Sequence, residues 1–146
     1  MKNEEADVLV YQLWNHIKNR EWDEAKKLLS EDFECCWPQS NEKFNRDNFI
    51  EVNRIYPGTH EIQIINAWSE TNQWDRIDTV ISEVRIKSKT PEGKDVEVFA
   101  LSIFELEDDG AYLVRSAREY WADTYSAPAW RKHLSAPYDT RDLSNE

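Results

Sequence analysis

The sequence predicts an α+β fold in which three helices occupy the first half of the chain and a long antiparallel sheet the second. Three observations carry this. Apolar residues recur at helical spacing as far as Tyr56 and at strand spacing from Glu61 onward. The second half is punctuated by Pro91-Glu92-Gly93-Lys94 and by Asp108-Asp109-Gly110, which read as turns between neighbouring strands. Helices segregated from a run of hairpin-linked strands are the α+β pattern.

The elements follow in order. Ala6, Leu9, Val10, Leu13, Trp14 and Ile17 make one apolar helix face, with Glu4, Glu5 and Asp7 at its start and Lys18 and Arg20 at its end, as the helix dipole favours. Asn19 is placed to cap a second helix bearing Trp22, Ala25, Leu28 and Leu29. Phe33 to Trp37 reads as a short strand stopped by Pro38. Asn45 caps a third helix carrying Phe49, Ile50, Val52, Ile55 and Tyr56, ended by Pro57-Gly58. Four strands then form a meander: Glu61 to Trp68, Ile77 to Ile86, Val96 to Leu106 and Tyr112 to Asp123. From Val96 to Phe104 both strand faces are apolar over most of the length, so that strand needs two covers. The helices supply one, and a second subunit is the economical source of the other.

Composition narrows the function classes. A chain of 146 residues is one domain, able to bury about 70% of its unfolded surface. Its net charge of −11 and its lack of any basic run oppose nucleic-acid binding. Apolar runs fall far short of the ~20 residues of a membrane helix. Met1 to Asp7 lacks the basic start and apolar core of a signal peptide, so a cytoplasmic location is expected. Cys35 and Cys36 are adjacent, which disfavours a disulfide between them. Reduced cysteines on a strand are expected, with a redox pair as the alternative. His16, His60 and His133 show no metal-ligand spacing, so no metal is expected. Three glycines and no nucleophile-elbow serine leave no phosphate loop or serine hydrolase, and no cofactor is expected.

Order and motifs together resemble the nuclear transport factor 2-like superfamily, and within it the SnoaL-like relatives of polyketide cyclases and ketosteroid isomerases. The resemblance spans residues 5 to 133. It rests on Trp22-Asp23-Glu24-Ala25 before Leu28-Leu29, on Asp32-Phe33 entering the first strand, and on the ending Glu119-Tyr120-Trp121. It implies a curved antiparallel sheet wrapped around the helices into a cone, a cystatin-like α+β roll. It also implies a deep pocket at the open end and a homodimer formed through the outer sheet face. Residues 1–137 form that domain, followed by a polar tail over 138–146. Family enzymes draw acid/base groups from the first helix, the first strand and the final strands, where this chain offers Tyr11 and Trp14, Trp37 and Gln39, and Glu119 to Asp123. Two departures count. Ala122 separates the Tyr-Trp pair from Asp123, where related cyclases place the acid next to it. Trp37-Pro38-Gln39 stands where ketosteroid isomerases have a carboxylate base.

The closing strand holds the best candidates. Strand alternation puts Glu119, Trp121 and Asp123 on one face and Arg118 and Tyr120 on the other. Glu119 and Asp123 are about 13 Å apart along the strand. A cooperating carboxylate pair needs ~5–9.5 Å. One acid beside Trp121 in a dry pocket, its pKa raised by desolvation, fits better. The alternative for Glu119 is an ion pair with Arg85 or Arg115. His60 reads as a proton shuttle or a turn residue, and Tyr11 as a group polarising a carbonyl. Trp14, Trp37, Trp68, Tyr120, Trp121 and Trp130 are the candidate pocket aromatics, with core filling as the alternative for the first three and Trp121. Three functions remain open: a cofactor-free isomerase, cyclase or dehydratase moving a proton on a small, partly apolar molecule; a non-catalytic binder of a small apolar or aromatic ligand; and an interaction module working through its sheet.

Overall fold

A computed structural model describes residues 4–56 and 61–143 of the chain. The elements run α1 (Glu4–Lys18), α2 (Trp22–Lys27), β1 (Leu29–Trp37), β2 (Glu42–Asn45), α3 (Arg46–Ile55), β3 (Glu61–Thr71), β4 (Asp78–Lys89), β5 (Asp95–Asp108), β6 (Tyr112–Asp123) and α4 (Ala129–Lys132). Single 3-10 turns cover Pro38–Ser40 and Thr140–Leu143. The strands form one curved, unclosed six-stranded sheet in the order β2-β1-β6-β5-β4-β3. Helices α1 and α3 pack on one face of it, α1 against β3 and β4 and α3 against β1, while α2 bridges the two helices. The fold is α+β, as the segregated periodicities predict.

Local chemistry accounts for most boundaries. Helix α1 buries the expected face, including Val10, Leu13 and Ile17, and starts with three acids. Asn45 caps α3 by accepting from the Asn48 backbone N–H at 2.8 Å. The β5–β6 hairpin turns at Gly110, whose φ of +89° lies in the region that glycine adopts without a Cβ penalty. The expected span of β6 is matched residue for residue.

Other expectations are corrected. The residue before α2 is Glu21 and makes no side-chain cap, so Asn19 does not start that helix. Leu28 and Leu29 are not helical, because β1 begins at Leu29, where the backbone pairs with Val114. The sheet is not wholly antiparallel: β1 lies parallel to β6, and short β2 forms the edge beyond it. Pro57, Gly58 and the catalytic candidate His60 lie outside the described residues.

The core sits between the helices and the inner sheet face. Phe104 and Phe33 are almost wholly buried; Phe104 meets Trp14 edge-on at 6.3 Å, and Phe33 packs on Phe49 at 5.1 Å. Within β3 a bulge between Ile64 and Asn66 lets Ile62, Ile64 and Ile65 all turn toward cover, then inverts the alternation for the rest of the strand. Helices α1 to α3 bury their apolar residues against the inner face, which leaves the outer face to the C-terminal segment and solvent. Near its edge the Arg85 guanidinium donates to the Thr140 carbonyl, tying the C-terminal segment to β4, and it also lies over the Phe99 ring.

Candidate functional site

One cavity opens between α1, α3 and the inner face of β4, β5 and β6, enclosing about 70 Å³. Its walls are mostly apolar, with Ile17 from α1, Ile62 and Ile86 from β3 and β4, and Val98 and Ala100 from β5. Four aromatic rings complete them: Trp14, Trp37, Tyr56 and Trp121. Trp37 and Trp121 meet at 5.6 Å and 77°, and Tyr56 meets Trp121 at 6.5 Å and 84°, so the rings stand as near-perpendicular walls. Trp14 is held in orientation by its indole N–H, which donates to Ser82 Oγ at 3.0 Å.

Glu119 is the acid inside this cavity. Strand pairing sets it opposite Ser102, on the same side as Ala100 and Trp121, and its side chain is 7% exposed. Its Oε1 accepts from the Trp37 indole N–H at 3.0 Å and from the Cys35 thiol at 3.4 Å, while Oε2 accepts from the Ser102 hydroxyl. Two of these donors come from β1 and one from β5, so β6 delivers the carboxylate between its partners. No lysine, arginine or histidine among the described residues pairs with it. The arginines proposed as partners face the outer side instead: Arg115 meets Asp32, Glu107 and Asp109, and Arg85 meets Gln63, Glu97 and Thr140. Burial, reinforced by the Glu119 charge, pushes the Cys35 thiol far above the usual range. Cys35 therefore stays protonated and acts as a donor, not as a nucleophile.

Two further polar features bear on the cavity. The Trp121 indole nitrogen is buried and has no hydrogen-bond partner among the described residues. Its backbone N–H, by contrast, donates to Gln39 Oε1 at 2.8 Å, which fixes the 3-10 turn after β1 against the end of β6. Asp123, two residues beyond Trp121 and opposite Val98, stands on the cavity side but is exposed. Burial, and secondarily the Asp123 charge, raises the Tyr56 hydroxyl above its ordinary value.

The structure thus brings Trp14, Trp37, Trp121 and Glu119 together around one space. The remaining candidates lie elsewhere. Trp68 is 49% exposed on the outer face opposite Ile81, because the β3 bulge reverses its side. Tyr120 faces outward as alternation from Trp121 requires. Trp130, on the short α4, is 72% exposed and carries Arg131 over its ring. Tyr11 lies on the exposed side of α1 and does not line the cavity. Cys35 and Ser102, which sequence reasoning missed as site residues, share the inward side of their strands with Trp37 and Phe104, and that alternation was the available signal. Tyr56 was read only as part of a helix face.

No protein-family model matches the chain, and no curated protein matches it in sequence. Solved structures do. A proposed ketosteroid isomerase from Kribbella flavida DSM 17836 is 20% identical over 94% of this chain and 92% of its own, with a TM-score of 0.73. An NTF-2 like protein of unknown function from Burkholderia xenovorans LB400 is 21% identical over 95% and 99%, with a TM-score of 0.70. The association domain of C. elegans CaMKII is 10% identical over 80% and 92%, with a TM-score of 0.62. The fold is therefore the NTF2-like fold. It hosts catalytic and assembling proteins alike, so the site and not the scaffold has to carry the functional reading.

Proposed function

We propose that the chain binds a small, partly apolar molecule in the aromatic cavity, with the Trp121 indole N–H as a hydrogen-bond donor to it. The unpartnered buried nitrogen carries this reading. A buried donor without an acceptor costs about 1–3 kcal/mol, a cost that a ligand carbonyl, ether or hydroxyl oxygen would remove once the ring turns its nitrogen into the cavity. The enclosed volume suits roughly five to seven water-sized atoms. A steroid, the ligand class suggested by the first of the similar structures, is too large for it without rearrangement of the rings.

The test is a titration with cyclohexanone, followed through the indole N–H resonances of the seven tryptophans. Trp121→Phe identifies the Trp121 signal. That signal and the Trp37 signal are expected to move, while those of exposed Trp74 and Trp130 stay still. Movement confined to the exposed rings would overturn the proposal.

A second reading has its own support. Glu119 is a carboxylate facing an enclosed apolar space, the setting in which an acid moves a proton between carbon positions. Isomerase, cyclase or dehydratase chemistry of the SnoaL-like kind would use it. Its three existing donors weigh toward binding without chemistry, since they already occupy most of its acceptor positions.

We further propose a cytoplasmic homodimer formed through the outer sheet face. Trp68, Ile81 and Ile103 lie side by side across three strands there, next to the pair Leu101 and Tyr120. Such a contiguous apolar band is the kind of surface a second copy covers.

A further inference from the structure

The charge balance of the cavity narrows its ligand beyond size and polarity. Resting on the binding reading above, we propose that the ligand is a small organic cation, a protonated or quaternary alkylammonium that also bears one hydrogen-bond acceptor.

Glu119 is nearly fully buried, and only the neutral donors Cys35, Trp37 and Ser102 hold it. Hydrogen bonds of that kind offset part of the cost of burying a charge, but they supply no opposite charge. No lysine, arginine or histidine among the described residues lines the cavity, so none of them gives the carboxylate a counter-ion. Asp123 shares this sheet face two residues beyond Trp121 but is exposed and outside the cavity lining.

The walls match the same chemistry. Trp14, Trp37, Tyr56 and Trp121 present aromatic surface around the space, and the faces of such rings attract cations. Near-perpendicular rings wrap a compact, roughly spherical head better than a flat one. An anionic ligand would meet the Glu119 carboxylate and, among the described residues, no cation. A neutral apolar ligand would fill the volume but leave both Glu119 uncompensated and the Trp121 nitrogen unpaired. A cation with an attached hydroxyl or carbonyl oxygen answers both. The net charge of −11 also draws cations toward the molecule.

Choline and 3,3-dimethylbutan-1-ol provide the test, because they share shape and hydroxyl group and differ in charge. Isothermal titration of the full chain with each, alongside the cyclohexanone titration, is expected to show choline bound about tenfold more tightly than its neutral isostere. Glu119→Gln is expected to remove most of that preference. Equal affinity for the two compounds, or no choline binding at millimolar concentration, overturns the cation assignment. If cyclohexanone still moves the Trp121 resonance in that case, the binding reading stands without it. If cyclohexanone fails as well, both fall. The comparison of the two ligands on the unaltered protein does not depend on how the variant folds.

Discussion

Replacing Glu119 by glutamine and by alanine should give different stability outcomes, and the structure sets the gap between them. Alanine removes both carboxylate oxygens and leaves three donors facing an apolar cavity: the Trp37 indole N–H, the Ser102 hydroxyl and the Cys35 thiol. The first two each cost about 1–3 kcal/mol when stranded, and the thiol, a weak donor, costs less. A deficit of about 2–6 kcal/mol relative to glutamine follows, which for a domain of this length separates the two Tm values by roughly 5–20 °C. Glutamine keeps the shape. Its Oε1 still accepts from Trp37 and Cys35, and its amide donates to Ser102 Oγ once the hydroxyl rotates. Like alanine, it eliminates a buried charge whose desolvation costs several kcal/mol. Glutamine is therefore expected to be neutral or stabilising. Urea unfolding followed by tryptophan fluorescence measures both variants. Equal destabilisation by the two, or a larger loss with glutamine, would refute the view that neutral hydrogen bonds alone hold this carboxylate in place.

Two other outcomes are expected. The Tyr112 hydroxyl donates to buried Asp78, and burial together with that carboxylate raises it well above its ordinary value of 10.0; Tyr56 is raised as well. The folded state then holds these protons more tightly than the unfolded chain, so their contribution is complete below about pH 10 and is lost as pH rises beyond it. Tyr112→Phe should flatten the alkaline limb of a stability–pH curve, and an unchanged limb would contradict the assignment. On the outer face, Leu101→Glu puts a second carboxylate directly opposite Glu83. The unaltered chain is expected to sediment at twice 17.4 kDa and the variant at 17.4 kDa with unchanged circular dichroism; an unaltered chain that stays monomeric at micromolar concentration removes the dimer.

What was legible in the sequence was local. The face of α1, the Asn45 cap and the Gly110 hairpin each depend on residues within a few positions of one another, and each appears where periodicity or turn chemistry puts it. Glu119 and Trp121 share a face with the cavity because β6 keeps strict alternation over its last half. The misses are non-local. Nothing near Trp68 announces the bulge at Ile65 that turns it outward, since that bulge is set by pairing with β4. Parallel pairing of β1 with β6 joins segments more than 80 residues apart, and so do the Glu119 hydrogen bonds to Cys35 and Trp37. Arg85 and Arg115 were plausible partners by charge, but their strand positions point them to the other face.

Because β6 lies between β1 and β5, it is the piece that joins two otherwise separate halves of the sheet. During synthesis helices α1 to α3, the β1–β2 hairpin and the β3–β4–β5 meander all emerge before it. Until it arrives, the donors on β1 and β5 have no carboxylate between them, and the cavity lacks its Trp121 wall. Closing the sheet therefore waits on a contact of very large sequence separation, the kind that folds slowly and leaves open strand edges meanwhile. Any nascent or truncated form ending before Glu119 lacks both the carboxylate and the Trp121 wall of the cavity.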